Sequence, residues 1–279
     1  MIFGMDKLIG HNLLIGKRGL IFGVLNEQSL AWAVARRCHA EGASLVLTNT
    51  EAACKLGTVQ TLAGSIDAPL VVADATSDES MEQLLVESQR LLGGPIDFIL
   101  HAVAQAQNMR RHRSYDEMSY TYMQQTLNVS ALSFHRLLQT ARRMDAIRQG
   151  GSVVALTYIG AERSIIGYEE MADAKAMLQS IARNFGRLYA DRGVRVNTVS
   201  QSPTVTKAGA QVAGQNHFLR FAEALSPLGN ADAASCGDLC AMLFSDFSRK
   251  VTMQNIYNDG GFSSTGMTDT FIRQAGDIF

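Results

Sequence analysis

The sequence predicts an α/β fold: a doubly wound, Rossmann-type parallel sheet of seven strands with helices on both faces. Three observations carry this expectation. Short runs rich in Val, Ile and Leu alternate with helical patterns from end to end. The runs are close to continuously apolar, as strands buried on both faces are. No linker, repeat or low-complexity tract divides the 279 residues, a length that buries a sizeable core, so 1–279 is expected to form one domain.

Strands are expected at 19–24, 44–48, 69–73, 96–102, 152–157, 194–199 and 255–257, each an apolar run bounded by polar residues or glycine. Helical patterns fill 29–41, 80–92, 114–146, 171–191 and 231–244. Parallel strands need crossover connections, and these helices supply them on both sides of the sheet. Residues 202–225 break the rhythm with Pro203, several Gly and Ala, and a mild helical pattern. They read either as a flap covering a site or as an ordinary surface excursion.

Composition excludes several function classes. The 25 Lys+Arg balance 26 Asp+Glu to a net charge of -1, without a basic block, which argues against a nucleic-acid binder. Charged residues are only 18%, below the usual quarter, which suggests outer faces buried against other subunits. No apolar stretch is long enough to span a membrane, and residues 1–14 lack the pattern of a signal peptide. Cys38, Cys54, Cys236 and Cys240 are too few and scattered for a disulfide framework, so a reducing cytoplasm is the default. Cys236 and Cys240 lie four apart on a helical pattern and read as core-facing. The six His form no metal pattern, and His101 at a strand end reads as structural.

The turn after the first strand, Gly23 to Ser29, stands where a doubly wound sheet cradles a pyrophosphate. Gly23 allows close backbone approach, and Ser29 is placed to cap the next helix and donate to phosphate. No G-x-G-x-x-G is present, so a bare capping turn would look much the same. Asp74 follows the third strand and reads as a partner of an adenine amino group, or as the cap of the helix after Thr76. Small residues from His101 to Ala106 leave room for a flat nicotinamide. The second strand ends at Thr50 with neither an acid for a ribose diol nor a basic pair for a 2′-phosphate, which favours NADH over NADPH.

Tyr168 and Lys175 are seven residues apart. On a helix that separation turns about 700° and returns to nearly the same face roughly 10 Å along the axis. A lysine there can bond a cofactor ribose, and a phenol can donate to an oxygen becoming anionic. Tyr–Lys pairs at some matching spacing occur in most chains; placement just after the fifth strand gives this one weight.

Taken together, Gly23 to Ser29, Asp74, Tyr158 and Tyr168-x6-Lys175 resemble the enoyl-acyl-carrier-protein reductases of bacterial fatty-acid synthesis, a divergent branch of the short-chain dehydrogenase/reductases. Leu156-Thr-Tyr-Ile-Gly-Ala-Glu-Arg163, Val194-Arg-Val-Asn-Thr-Val-Ser200 and Asn258-Asp-Gly-Gly-Phe262 carry the resemblance along nearly the whole chain. Ser200-Gln-Ser-Pro-Thr-Val-Thr206 and Lys250-Val-Thr-Met-Gln-Asn255 resemble a Bacteroidetes-like form.

The resemblance implies reduction of the trans-2 double bond of enoyl-acyl-carrier-protein thioesters by NADH, the last step of the elongation cycle, in a homotetramer. It implies that Tyr168 bonds the thioester carbonyl, Lys175 holds the nicotinamide ribose, and Tyr158 and Ala106 face the acyl substrate. Gly23, Ser29, Leu30, Thr50, Asp74, Ala75 and Val103 would contact NADH, with Thr204, Val205, Thr206, Lys207 and Ala208 over the nicotinamide and pyrophosphate. The chain departs from the family's usual pattern at Gln201-Ser202, Ala102-Val103-Ala104 and Thr50, which alters local loop shape. The run Arg110-Arg111-His112-Arg113 reads as a solvated loop or as a dock for the acidic carrier protein. Two rivals stay open: a ketoreductase on the same fold, usually Tyr-x3-Lys with an upstream Ser, and a catalytically silent NAD-binding protein.

Overall fold

A computed structural model describes residues 9–56, 58–204, 215–268 and 272–273. In chain order its elements are β1 (Arg18–Phe22), α1 (Leu30–Ala40), β2 (Ser44–Asn49), α2 (Glu51–Leu56), α3 (Val59–Ser65), β3 (Leu70–Val72) and α4 (Asp78–Leu92). Then follow β4 (Ile96–His101), α5 (Gln107–Arg110), α6 (Tyr120–Leu127), α7 (Ser133–Arg143), β5 (Ile147–Thr157) and α8 (Glu169–Leu188). The last are β6 (Arg195–Gln201), α9 (Gln215–Leu225), α10 (Ala233–Phe244) and β7 (Asn255–Asn258).

All seven strands are parallel, in the order β3-β2-β1-β4-β5-β6-β7. The order reverses between β1 and β4, and a doubly wound sheet opens its ligand crevice at the carboxyl ends of the strands flanking that reversal. The strands are apolar on both faces because both faces are covered. Along β1, Ile21 joins a cluster with α1 and α10, while Leu20 and Phe22 join one with α4, α7 and α8. Phe98 of β4 stacks on Phe244 of α10 at 4.4 Å between ring centroids, which helps seat α10 against the sheet. Cys38, Cys236 and Cys240 are buried as free thiols in the first cluster, in the core-facing role expected of the last two.

Several elements differ from expectation. The helix expected over 114–146 starts at Tyr120, because the Asn108 side chain bonds both backbone N–H and C=O of Ser119 and holds the chain extended just before it. It then carries a π-helical turn at Asn128–Leu132, where Ser130 Oγ bonds the N–H and C=O of Gln105. β5 begins at Ile147, five residues early: Arg148, Gln149 and Gly150 are exposed, so no apolar pattern marks them, and the pairing with β4 shifts register there. The short α2 and α3 fill a stretch where no helix was expected.

Candidate active site

A cleft of about 600 Å³ opens at the carboxyl ends of β1, β4, β5 and β6. Its walls are Gly23 after β1, Leu30 and Ala31 at the start of α1, Val103 to Ala106 after β4, Tyr158 after β5, Tyr168 just before α8, Lys175 on α8, and Gln201 at the end of β6 with Ser202 to Thr204 after it. Gly23 adopts φ 94°, and a Cβ there would lie 2.3 Å from the Ala102 carbonyl oxygen, so only glycine lets the loops after β1 and β4 meet. Ser29 sits at the N-cap of α1 but does not cap it. Its hydroxyl instead accepts the N–H groups of Leu25 and Asn26 and donates to Asn26 Oδ1, because the tight turn offers those partners first. The amides of Leu30 and Ala31, which no helical carbonyl can reach, therefore stay available at the cleft wall.

Tyr168 is not inside a helix, as the spacing suggested, but at its N-cap with φ −118°; its carbonyl accepts Ala172 N–H at 2.8 Å and starts α8. The phenol still lies across the cleft from the β5 loop, edge-on to Tyr158 with ring centroids 4.9 Å apart at 74°. Gly160 sits under both rings: a Cβ there would meet Tyr168 Cδ1 at 2.6 Å and Tyr158 Cδ1 at 3.2 Å. Gly160→Ala is therefore expected to displace the Tyr168 ring and cut turnover at least tenfold with little change in cofactor affinity. Steady-state kinetics beside a binding titration check this; equal losses in both would point to general distortion.

Two turns into α8, Lys175 is 7% exposed and donates from Nζ to the Leu156 carbonyl at 2.8 Å. Burial pushes its ammonium down to about 8. Burial also pushes the Tyr168 phenol far above its usual range, and Tyr158 up to about 12, with Asp259 adding a little. Both phenols thus keep their protons at neutral pH, and among the described residues neither hydroxyl bonds a protein acceptor. The site presents two phenol donors and one ammonium whose proton is held loosely. His101, fully buried beneath, is kept neutral by burial and by the Lys175 charge, with its pKa pushed down to about 3. Its Nε2 lies 2.9 Å from Ser133 Oγ, which fits the structural role expected of it.

The structure brings most but not all of the expected residues together. Gly23, Ser29, Leu30, Val103, Ala106, Tyr158, Tyr168, Lys175 and Thr204 line the cleft. Thr50, Asp74 and Ala75 do not: they stand just past the carboxyl ends of β2 and β3, outside it. Asp74 is exposed and accepts both Thr76 N–H and its hydroxyl, while Ser77 caps α4, so Asp74 is not the cap. Val205, Thr206, Lys207 and Ala208 lie outside the described residues, as does the middle of the expected flap. Sequence reasoning missed Phe218 of α9, Met109 and Met171, which add apolar wall, and the buried Glu170 behind them. Glu170 resembles any first-turn helix acid in sequence, and only burial sets it apart. No cluster of three metal-ligating side chains occurs among the described residues.

A doubly wound sheet with a cleft at its reversal, a glycine-tight first turn and a tyrosine–lysine pair across from it defines a dinucleotide-binding oxidoreductase. The family described as enoyl-(acyl carrier protein) reductase matches residues 23–263. The NADH enoyl-acyl-carrier-protein reductase 2 of Rhizobium meliloti is 31% identical over 92% of this chain and 95% of its own. The FabI NADH enoyl-acyl-carrier-protein reductase of Bacillus cereus is 30% identical over 91% of this chain and 99% of its own. The crystal structure of a FabI–NADH complex from Alistipes finegoldii is 53% identical and superposes with a TM-score of 0.91 over 92% of each chain. The chain belongs to the enoyl-(acyl carrier protein) reductase family.

Proposed function

We infer that the chain, acting as one catalytic domain, reduces the trans-2 double bond of enoyl-acyl-carrier-protein thioesters with NADH, closing each round of fatty-acid elongation. The observation that carries this is Tyr158, Tyr168 and Lys175 gathered at the mouth of a dinucleotide cleft, in a chain whose family and relatives are named for that reaction. The cleft fits a dinucleotide: Gly23 leaves no room for a side chain where a pyrophosphate must approach, and the Leu30 and Ala31 amides are free to receive it. When bound, the dihydronicotinamide supplies a hydride to the β-carbon. Tyr168 donates a hydrogen bond to the thioester oxygen as the enolate forms, its high pKa keeps that proton on the phenol, and the α-carbon takes its proton from solvent to complete the reduction. Tyr158 braces the Tyr168 ring and bounds the acyl space with Ala106. Lys175 holds the ribose and lends positive potential. Thr50, Asp74 and Ala75 serve the adenosine end, and Thr204 contributes to the cleft wall. NADH is preferred because no basic pair for a 2′-phosphate follows β2 in the sequence, where Lys55 is the one nearby cation.

The test is loss of NADH absorbance with a trans-2-enoyl thioester, repeated with NADPH and with a β-ketoacyl thioester. Turnover of the ketoacyl substrate alone would replace this reading with a ketoreductase, and NADH binding without turnover would replace it with a silent binder.

The carrier protein is acidic in charge, and the loop beyond Ala106 offers Arg110, Arg111 and Arg113, none paired with a carboxylate among the described residues. Arg111 stacks over the Tyr122 ring at 4.3 Å and Arg110 lines the cleft mouth. Removing Arg111 and Arg113 together is expected to raise KM about fivefold for carrier-bound substrate at low salt and leave KM for a coenzyme A thioester unchanged. Equal effects on both substrates would remove the docking role. A homotetramer is supported by the low charge content and by exposed Leu132, Met177 and Leu188. The helical pattern over 120–143 looks apolar on several sides in sequence, as a subunit face would, but Ala131, Phe134 and Leu138 are fully buried within the protomer. The free cysteines support work in the reducing cytoplasm, and no described helix is long and apolar enough to cross a membrane.

A further inference from the structure

Glu170 is fully buried, two residues past Tyr168 and five before Lys175, and among the described residues it forms no ion pair. A buried carboxylate without a partner is strongly unfavourable, so this one must be held by something else. Four donors converge on it. Oε2 accepts the backbone N–H groups of Asn108 at 3.0 Å and Met109 at 3.2 Å. Oε1 accepts Asn108 Nδ2 and the Thr126 hydroxyl, each at 2.8 Å. All four are donors, so the group acts purely as an acceptor, which a carboxylate does and a neutral amide cannot.

The donors come from α5, just after β4, and from α6, and most are themselves tied down. Thr126 Oγ1 also accepts Gln107 N–H, and the Asn108 side chain grips the backbone of Ser119. The segment held this way, residues 106–109, is the cleft wall facing Tyr168: Ala106 and Met109 pack with Met171, Ala174 and the Tyr168 ring in one small cluster. We propose that Glu170 is a positioning residue for this reaction: its carboxylate clamps the wall at residues 106–109 to the helix carrying Tyr168 and Lys175, and so sets the width of the acyl space. It acts through Ala106 and Met109 and touches no reacting atom.

The proposal rests on the enoyl-reductase reading, and the experiment separates the two. Glu170→Gln turns one acceptor into an amide that faces two donors, loosening the wall while keeping volume. With the full-length protein, KM for a trans-2-enoyl thioester is expected to rise about tenfold with kcat and NADH affinity within about twofold of the parent. Thr126→Val, which removes one donor and leaves the carboxylate, is expected to raise the same KM about threefold. It carries the test if Glu170→Gln does not fold. A purely structural role would lower NADH affinity and melting temperature together with the KM change, and that pattern overturns the proposal. Parent-like KM in a folded variant also overturns it while leaving the enoyl-reductase reading intact. Absence of enoyl turnover by the parent enzyme overturns both.

Discussion

Replacing Tyr168 with Phe is expected to lower kcat on an enoyl thioester by about 100- to 1000-fold, the loss seen when one oxyanion donor is removed, or roughly 2.7–4 kcal/mol. The effect is large because the phenol is half-buried in the cleft wall: a donor in a preorganised, partly water-excluded site interacts with developing charge more strongly than water would. NADH affinity should stay within about twofold, since the variant removes only a hydroxyl and keeps the ring packed against Tyr158 and Gly160. The same burial makes a further statement about pH. A phenol held far above its usual range cannot lose its proton in the working range, so no kcat inflection below about pH 10 belongs to it. On the proposed assignment Tyr158→Phe should cost much less, about tenfold, because that ring would brace and bound the site while Tyr168 would make the bond that strengthens. Stopped turnover measured beside a fluorescence titration of NADH decides the point. Unchanged turnover in Tyr168→Phe would remove its assigned role.

The strands of this fold were legible because their chemistry is redundant. Along β1, Leu20, Ile21 and Phe22 are apolar whichever face they take, so a parallel sheet buried on both sides announces itself as a run. Tyr168 and Lys175 could be paired in advance because their spacing and position after β5 coincide, whereas Tyr158 entered only through the family resemblance. What the sequence hid depends on partners distant in the chain. Asn108 ends the extended stretch before α6 by bonding Ser119, and nothing near Ser119 foretells it. Ser29 looks like a helix cap until the turn places Leu25 and Asn26 N–H within its reach. Glu170 reads as a solvated first-turn acid, and its four donors lie 44 to 62 residues away. Local rules find elements; they cannot find groups whose role is to join them.

Lys175→Met is expected to weaken NADH binding by about 10- to 100-fold and to abolish its dependence on pH near 8. Burial puts the ammonium of the free enzyme at about 8, below the ordinary lysine value of 10.5, so it is mostly charged at pH 7 and loses its proton just above. If the charged form holds the ribose, affinity for NADH falls as pH rises through 8, by up to about tenfold per unit until the bound form also titrates. The stability of the free protein moves the opposite way. Between 8 and 10.5 the unfolded chain binds more protons than the folded one, so stability contributed by this group rises with pH across that window. Below 8 the full burden of burying the charge remains, roughly 3 kcal/mol from the displacement of its pKa. The bond to Leu156 offsets part of this burden. The methionine variant should therefore melt higher than the parent at pH 7 and lose that advantage toward 10.5, while binding NADH worse throughout. Titrations of both proteins from about pH 6.5 to 9.5, with melting curves at each point, test both signs at once. A variant that binds NADH as tightly as the parent, with the same pH profile, would mean the charge at position 175 serves neither the ribose nor the site. Opposite signs in binding and stability would show that the fold keeps a destabilising charge in its core because the reaction requires it there.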